Sequence, residues 1–441
     1  MCPNPQEALP LPPRPSLEQY KKRAKDLVAA CRSGNPDAIG VWAREWLDTL
    51  SKLREESERP RTGEDVDRDA ARVAEFALKN LATDGDRPRT CRLADAQFVI
   101  ARAHGFLSWP KFAAHLESLA QASSPVSAFE TAADAIVAGD TATLLQLLRD
   151  HPDLVHSRST REHRSTLLHY VSANGVEGYR QKSPKNAAAI AEILLRGGAE
   201  VDPEADVYGG GCTPLGLVAT STPPFLAGVQ RDVIDVLLAH GARMDYPGST
   251  GNQSALIRGC LMNGCPDAAE HLVERGAPLD FAGASGVGRL DIVKAFFGED
   301  GRLASNVTRA QREEGFALAC VYGRVDVASY LIDRGLEVDL QLRVHGQGHT
   351  ALHVASYHGH VELVRSLLHR GADLNVRDQT WRTPPLYWAL TGWSDKSNRA
   401  DERYYEVVAL LVASGAAVPS ELHEWEPVRA DPRMHAALTS A

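Results

Sequence analysis

The feature that most constrains this chain is a helix ending that recurs. It reads LLRGGA from Leu194, LLAHGA from Leu237, LVERGA from Leu272, LIDRGL from Leu331, LLHRGA from Leu367 and LVASGA from Leu411. The fullest copy lies in HTALHVASYHGHVELVRSLLHRGADLNVRD, residues 349–378. There Thr350 is placed to cap a helix beginning at Ala351, and Leu352, Val354 and Ala355 give that helix one apolar face. Gly359 interrupts it. Val361, Leu363, Val364, Leu367 and Leu368 then recur at helical spacing, and the run stops at Gly371, where a left-handed residue ends a helix at little cost. A helix, turn, helix, stop unit of about thirty residues cannot bury its own apolar face, so it requires a similar neighbour on each side.

The helix start recurs more loosely, as STLLHYVSANG from Ser165, CTPLGLVATST from Cys212, QSALIRGCLMNG from Gln253 and RTPPLYWALTG from Arg382. From the threonine to the stop glycine the distance is 21 residues in the unit at Thr350, and 32, 28 and 32 in those at Thr166, Thr213 and Thr383. Three units therefore carry insertions, of 11, 7 and 11 residues.

T-P-L-H-x-A, then G-H-x-x-x-V, then L-L-x-x-G-A resembles the ankyrin repeat, and the copy from Thr350 to Ala372 matches it almost position for position. The resemblance covers residues 127–420, about two-thirds of the chain. It implies an all-α solenoid of about eight helix-turn-helix repeats joined by hairpin-like fingers, acting by protein binding. It says nearly nothing of the partner, because such arrays hold their scaffold positions and vary the ones that bind.

Ahead of the repeats, residues 1–15 hold six prolines and lack periodicity, which predicts an extended, disordered tail. A small helical domain is expected over residues 16–123. Ser16 and Gln19 form a capping-box pattern, and Ile39, Trp42, Trp46 and Leu50 share one stripe of a helix from Pro36 to Leu53. Residues 54–69 read as a charged loop. In LADAQFVIARAHGFLSWPK, Gly105 stops one helix and Ser108 starts another. This stretch resembles a helical module found ahead of the repeats in some bacterial ankyrin proteins, and the Ala- and Arg-rich usage is compatible with a bacterial source.

Within the array the fifth unit is irregular. Ala277 to Asp280 runs almost directly into FAGASGVGRLDIVKAFF, leaving no room for a finger, and a polar stretch to Glu313 replaces the stop. Gly288, Gly323 and Gly359 nonetheless lie 35 and 36 residues apart, so the register is expected to survive. Residues 421–441 are expected to cap the last repeat, whose apolar side would otherwise face water.

No apolar run approaches a bilayer span, and the first residues lack a basic flank, so a cytoplasmic protein without a membrane partner is expected. The seven cysteines are odd in number, widely spaced and free of C-x-x-C, which argues against a disulfide framework or a zinc site. They read as reduced packing residues. A formal charge of −9 weighs against nucleic acid as a partner.

Six histidines crowd the seventh unit: His345, His349, His353, His358, His360 and His369. His349 and His353 have the spacing of metal ligands on a helix, which keeps open a metal-dependent or enzymatic regulator centred there. The resemblance instead gives His353 and His360 structural hydrogen bonds within and between repeats, and no carboxylate or cysteine completes a ligand set. GASGVG from Gly283 has no following Lys-Ser/Thr and reads as a close approach of two helices. No catalytic signature appears, so no catalytic residue, metal or cofactor is assigned.

By the resemblance, the concave face is formed by the fingers and the ends of the first helices. The residues at those places are Tyr208, Leu261, Met262, Val321, Tyr322, Gln347, His349, Tyr357, His358, Trp381 and Arg382. Tyr, Trp, Met and Arg are interface anchors, each covering a large area with a modest loss of freedom. The insertions, residues 179–186, 223–228 and 393–405, form a second candidate surface projecting from helical turns. Phe225 and Trp393 on them either meet a partner or fold back on the neighbouring repeat. The reading is a monomeric, non-catalytic scaffold that binds another protein.

Overall fold

The computed structural model describes residues 4–33, 35, 37–54, 63–81, 91–245, 255–342, 348–395 and 401–439. Among these residues there are 25 α-helices and no strand, only four isolated bridges. The chain divides into two compact units, residues 1–254 and 255–441.

The first unit opens with five helices, Leu17–Arg32, Ala38–Arg54, Gly63–Leu81, Leu93–Ala103 and Trp109–Leu119. Tyr20, Leu27, Trp42, Trp46, Ile100 and Phe112 fill their common core. His104 is buried there, its ring stacked 5.1 Å from Phe112 and edge-on to Tyr20. Three expectations are corrected here. The third helix starts at Gly63, inside the stretch read as a loop, because Glu64 and Asp65 suit a helix amino terminus and Val66 is buried. Cys31 and Cys91 are joined as a disulfide, their Cα atoms 6.0 Å apart, which sequence spacing could not signal. The segment before Leu17, read as a disordered tail, lies against the helices: Leu9 is buried, its N–H donates to the Ala103 carbonyl at 2.7 Å, and its carbonyl accepts from His104 Nδ1 at 2.9 Å. Pro36 lies outside the described residues.

Three helix pairs follow in this unit: Pro125–Ala138 with Thr141–Asp150, Leu167–Val171 with Ala187–Arg196, and Pro214–Ala219 with Gln230–Ala239. The finger after the first pair, bridged between Arg158 and Thr166, meets the helical domain. The Glu162 N–H donates to the Gly105 carbonyl at 3.0 Å, Glu162 pairs with Arg102 at 2.7 Å, and His115 bonds the Thr160 hydroxyl at 2.8 Å. Behind them lies a buried ionic cluster. Arg161 pairs with Glu130 at 2.5 Å and with Glu177 at 2.9 Å, and Arg180 reaches Glu130 at 2.8 Å and Asp134 at 2.7 Å. The insertion at residues 179–186 therefore turns inward at Arg180, where a projecting loop was expected, since two buried carboxylates demand a second cation. At the third pair the insertion forms the short helix Thr222–Leu226, with Phe225 and Leu226 exposed.

The second unit holds five pairs: Leu256–Met262 with Pro266–Glu274, Phe281–Val287 with Leu290–Ala295, Arg309–Val321 with Val325–Asp333, Ala351–Tyr357 with Val361–His369, and Pro385–Ser394 with Glu402–Ala413. The polar stretch after Phe297 is partly helix: Thr308 and Gln311 form a reciprocal capping box that starts the third of these pairs early. Gly286 permits the close approach expected of GASGVG, since a Cβ there would fall 3.1 Å from the Leu318 Cβ. Short helices from Ser420 to Thr439 follow, with Leu422, Val428, Met434 and Leu438 buried.

The recurring ending works as its residues suggest. Gly371 has φ +81° and the five equivalent glycines are likewise left-handed. The first leucine of each ending, from Leu194 to Leu411, is fully buried, while Leu238, Ile332 and Leu368 are half-buried. Burying such a side chain contributes about 1.5–3 kcal/mol, so the row of first leucines holds each stack.

Candidate partner-binding face

The units are tied to one another by a threonine and histidine lock. Thr350 caps its helix, and His353 Nδ1 accepts from the Thr350 N–H at 3.1 Å and meets its hydroxyl at 2.9 Å. The opposite nitrogen, Nε2, donates to the Thr383 carbonyl of the next unit at 3.1 Å. Thr166 and His169 repeat the arrangement, with Nε2 on the Cys212 carbonyl at 3.2 Å. His360 Nε2 donates to the Val321 carbonyl at 2.7 Å. Burial pushes His353 down to about 4 and His169 to about 3, so both rings are neutral, with each nitrogen committed. Neither has a lone pair left for a metal. Among the described residues no three of His, Cys, Asp and Glu are grouped to hold one, and the metal-centred alternative is not supported.

The finger of residues 378–383 carries the most exposed large ring among the described residues, Trp381. Asp378 is buried at its root. Oδ1 accepts from the N–H groups of Thr380 and Trp381 at 2.8 and 2.6 Å. Oδ2 accepts from the N–H and hydroxyl of Thr383, both at 2.9 Å, and from the Trp388 indole at 3.3 Å. Burial works against the charge, but these donors outweigh it and hold the carboxyl well below its usual range. The carboxylate thereby fixes both the finger and Trp388.

Around Trp388 stand Trp381 at 5.4 Å, Tyr357 at 6.0 Å and His349 at 5.2 Å between ring centroids. The first two meet it nearly edge to face, a favourable arrangement that leaves flat surface outward. Trp381 is 66% exposed and Tyr357 40%.

A model described as ankyrin repeats matches residues 281–378, in three copies. This chain carries ankyrin repeats. Over 58 residues, 13% of the chain, it is 45% identical to the mouse serine/threonine-protein kinase TNNI3K. Over 91 residues, 21% of the chain, it is 34% identical to mouse ankyrin repeat and SAM domain-containing protein 6. The matches span only 7% and 10% of those proteins' lengths. The human ASB11 ankyrin repeat domain, a crystal structure, aligns with 65% of this chain and 99% of its own at 19% identity, with a TM-score of 0.33.

The ankyrin positions expected to meet a partner fall into three groups. Tyr357, Trp381 and Arg382 are exposed, Met262 is 36% exposed, and His358 is half-buried beside Tyr357. A second group is committed within the fold. The Tyr322 hydroxyl donates to the Leu261 carbonyl, bridging two first helices, and the Tyr208 hydroxyl donates to Asn174 at 2.9 Å while accepting from Gln6. Val321 gives its carbonyl to His360, and Leu261 is buried. The third group is a correction. His349 is buried under Trp388, and Trp393 is buried against Trp425 and Tyr405 because its helix runs on to Ser394, beneath the closing segment. Gln347 and His345 lie outside the described residues.

Sequence reasoning missed Trp388 and Asp378. Aligned on Leu386 and Ala389, Trp388 occupies the variable x of T-P-L-H-x-A, and a tryptophan at a variable position was the available signal. Asp378 closes the longest repeat match, but its role depends on donors up to ten residues ahead.

Proposed function

We propose that this chain is a non-catalytic scaffold that binds another protein through the concave face of its second unit. The observation carrying the reading is the pair Trp381 and Tyr357, exposed and held against the fixed Trp388. Rings already held by a buried carboxylate lose little freedom when a partner covers them, and aromatic anchors of this kind supply most of an interface's free energy. Met262, His358 and Arg382 extend the face. Phe225 and Leu226, on the insertion of the third repeat, supply a separate exposed apolar tip.

The test is a double change, Tyr357→Ala with Trp381→Ala, assayed by affinity capture with mass spectrometry. A protein retained by the natural chain should be lost by the variant, with the melting midpoint nearly unchanged. Retention of the same protein by the variant would reject this face.

A further inference from the structure

The segment before the first helix does two different things. Its prolines cannot donate hydrogen bonds and hold the chain extended, and Asn4 caps a single 3-10 turn at Pro5–Glu7. From Ala8 onward it is an anchor, with Leu9 buried and both of its backbone groups bonded to the helical domain. Residues 4–7 are exposed or half-buried and touch the repeats instead. The Gln6 carboxamide donates to the Tyr208 hydroxyl, which passes a bond on to Asn174. The Gln6 carbonyl lies over Gly178, so close that any Cβ at 178 would displace it. Outside the repeats, the Glu7 carbonyl accepts from Arg72 at 2.8 Å.

These residues form one wall of a cleft of about 590 Å³. Asn4, Pro5 and Ala8 line one side, and Glu162, His163, Asp206 and Tyr208 the other. The second wall belongs to the fingers of the second and third repeats, the elements that ankyrin arrays present to partners. Tyr208, which the sequence assigns to a partner, thus spends its hydroxyl on residue 6 of its own chain.

We infer that residues 4–7 are a built-in occupant of the Tyr208 side of this finger groove, which accepts a proline-bracketed peptide folded into a single capped turn, with a carboxamide side chain that reaches Tyr208. The inference rests on the reading that finger faces of this chain bind protein. A free-standing peptide competes with a tethered copy present at an effective concentration in the millimolar range, on the order of 1 mM. The surface under Gln6, at Tyr208 and Gly178, is covered until the strap is loosened. The strap is the part that yields, because exposed hydrogen bonds hold it while buried apolar contact holds Leu9.

Two full-length variants test this. Gln6→Ala removes the carboxamide but leaves the groove intact, and Gly178→Leu drives the strap off by steric conflict. In both, amide exchange at residues 6 and 7 should rise about tenfold, with the Leu9 amide and the melting midpoint unchanged. A capped peptide of residues 3–7, titrated by NMR, should bind Gln6→Ala at least fivefold more tightly than the natural chain, and adding Tyr208→Phe should reverse that gain. If neither variant raises exchange, the strap is a fixed part of the fold and the inference fails. It also fails if the peptide binds both chains equally, or does not bind Gln6→Ala once exchange shows the strap released. The Tyr357 and Trp381 double variant should take up the peptide as the natural chain does, so failure here is distinguishable from failure of the partner-binding face.

Discussion

The finger around Arg161 and the finger around Trp381 occupy equivalent places in the repeat: the first leads into a helix closed by the Thr166 and His169 lock, and the second is gripped at its Thr383 carbonyl by His353 of the preceding unit's lock. Their surroundings are opposite. At the first, Arg161, Glu177 and Arg180 are almost wholly buried, and the helical domain bonds the finger at Thr160 and Glu162. At the second, indole and phenol rings face solvent over a buried carboxylate. The lock fixes where a finger stands. The residues between its fixed points decide whether the finger is consumed within the chain or left open.

The strongest way to break this contrast is Arg161→Ala. Glu177, fully buried, meets Arg161 at 2.9 Å and Arg180 at 3.5 Å, so the change leaves it one guanidinium, and losing one partner of such a pair costs about 3–5 kcal/mol. Hydrogen exchange resolved along the chain should show the loss in residues 125–196 and not in 309–413. A uniform loss would mean that the two units unfold together. Leu367→Ala is the counterpart in the second unit, opening a cavity at a fully buried site for about 2–5 kcal/mol. Urea melting that shows a change under about 0.5 kcal/mol, the usual range for surface sites, would mean the row of first leucines does not hold the stack.

The chemistry on each side of the contrast was unequally legible. Whatever repeats could be read: the left-handed glycine stops, the buried first leucines and the glycine approach at Gly286 arise from local spacing, and the histidine bonds between units were implied by the ankyrin resemblance. The ionic cluster could not be read, because Glu130, Arg161, Glu177 and Arg180 are brought together across a finger and an insertion, and charges on an insertion ordinarily point to water. Leu9 sits among prolines, where no periodicity marks it as apolar core. Trp393 was ambiguous for a physical reason, since a ring at the end of a helix is exposed or covered according to where the chain goes next. Here the closing segment brings Trp425 to it. Of the open face, the exposed Tyr357 and Trp381 were legible from position alone, and the tryptophan that organises them was not.

Acid sharpens the comparison. His169 and His353, pushed down to about 3 and 4 by burial, are neutral when folded but titrate near 6.5 when unfolded. Their contribution is therefore present above pH 6.5 and is lost as pH falls toward those lower values, in both units. For Glu130 burial acts to raise the carboxyl, but Arg161 and Arg180 outweigh it and hold it down to about 2; Glu177 is lowered in the same way. A depressed carboxylate stabilises above its unfolded value of 4.5 and ceases to as pH falls through its folded one. Both units should weaken below pH 6.5, and the first should lose protection more steeply below 4.5. Equal acid profiles over residues 125–196 in the natural chain and in Arg161→Ala would show that the cluster adds nothing to the first unit's stability.

The smallest effects separate residues that hold the open face from residues that are free on it. Tyr322→Phe removes a hydroxyl that donates to the Leu261 carbonyl and should cost about 0.5–1.5 kcal/mol, the net worth of one internal hydrogen bond. Trp381→Ala removes a ring two-thirds exposed, anchored at its backbone N–H and against one face of Trp388, and should change stability by no more than about 0.5 kcal/mol. If Trp381→Ala cost as much as Tyr322→Phe or more, the ring would be packing for the fold's own sake. The second finger would then be as self-contained as the first. A cost near zero, in a chain that keeps the largest of its exposed rings in water, leaves the ring's surface available to something outside the molecule.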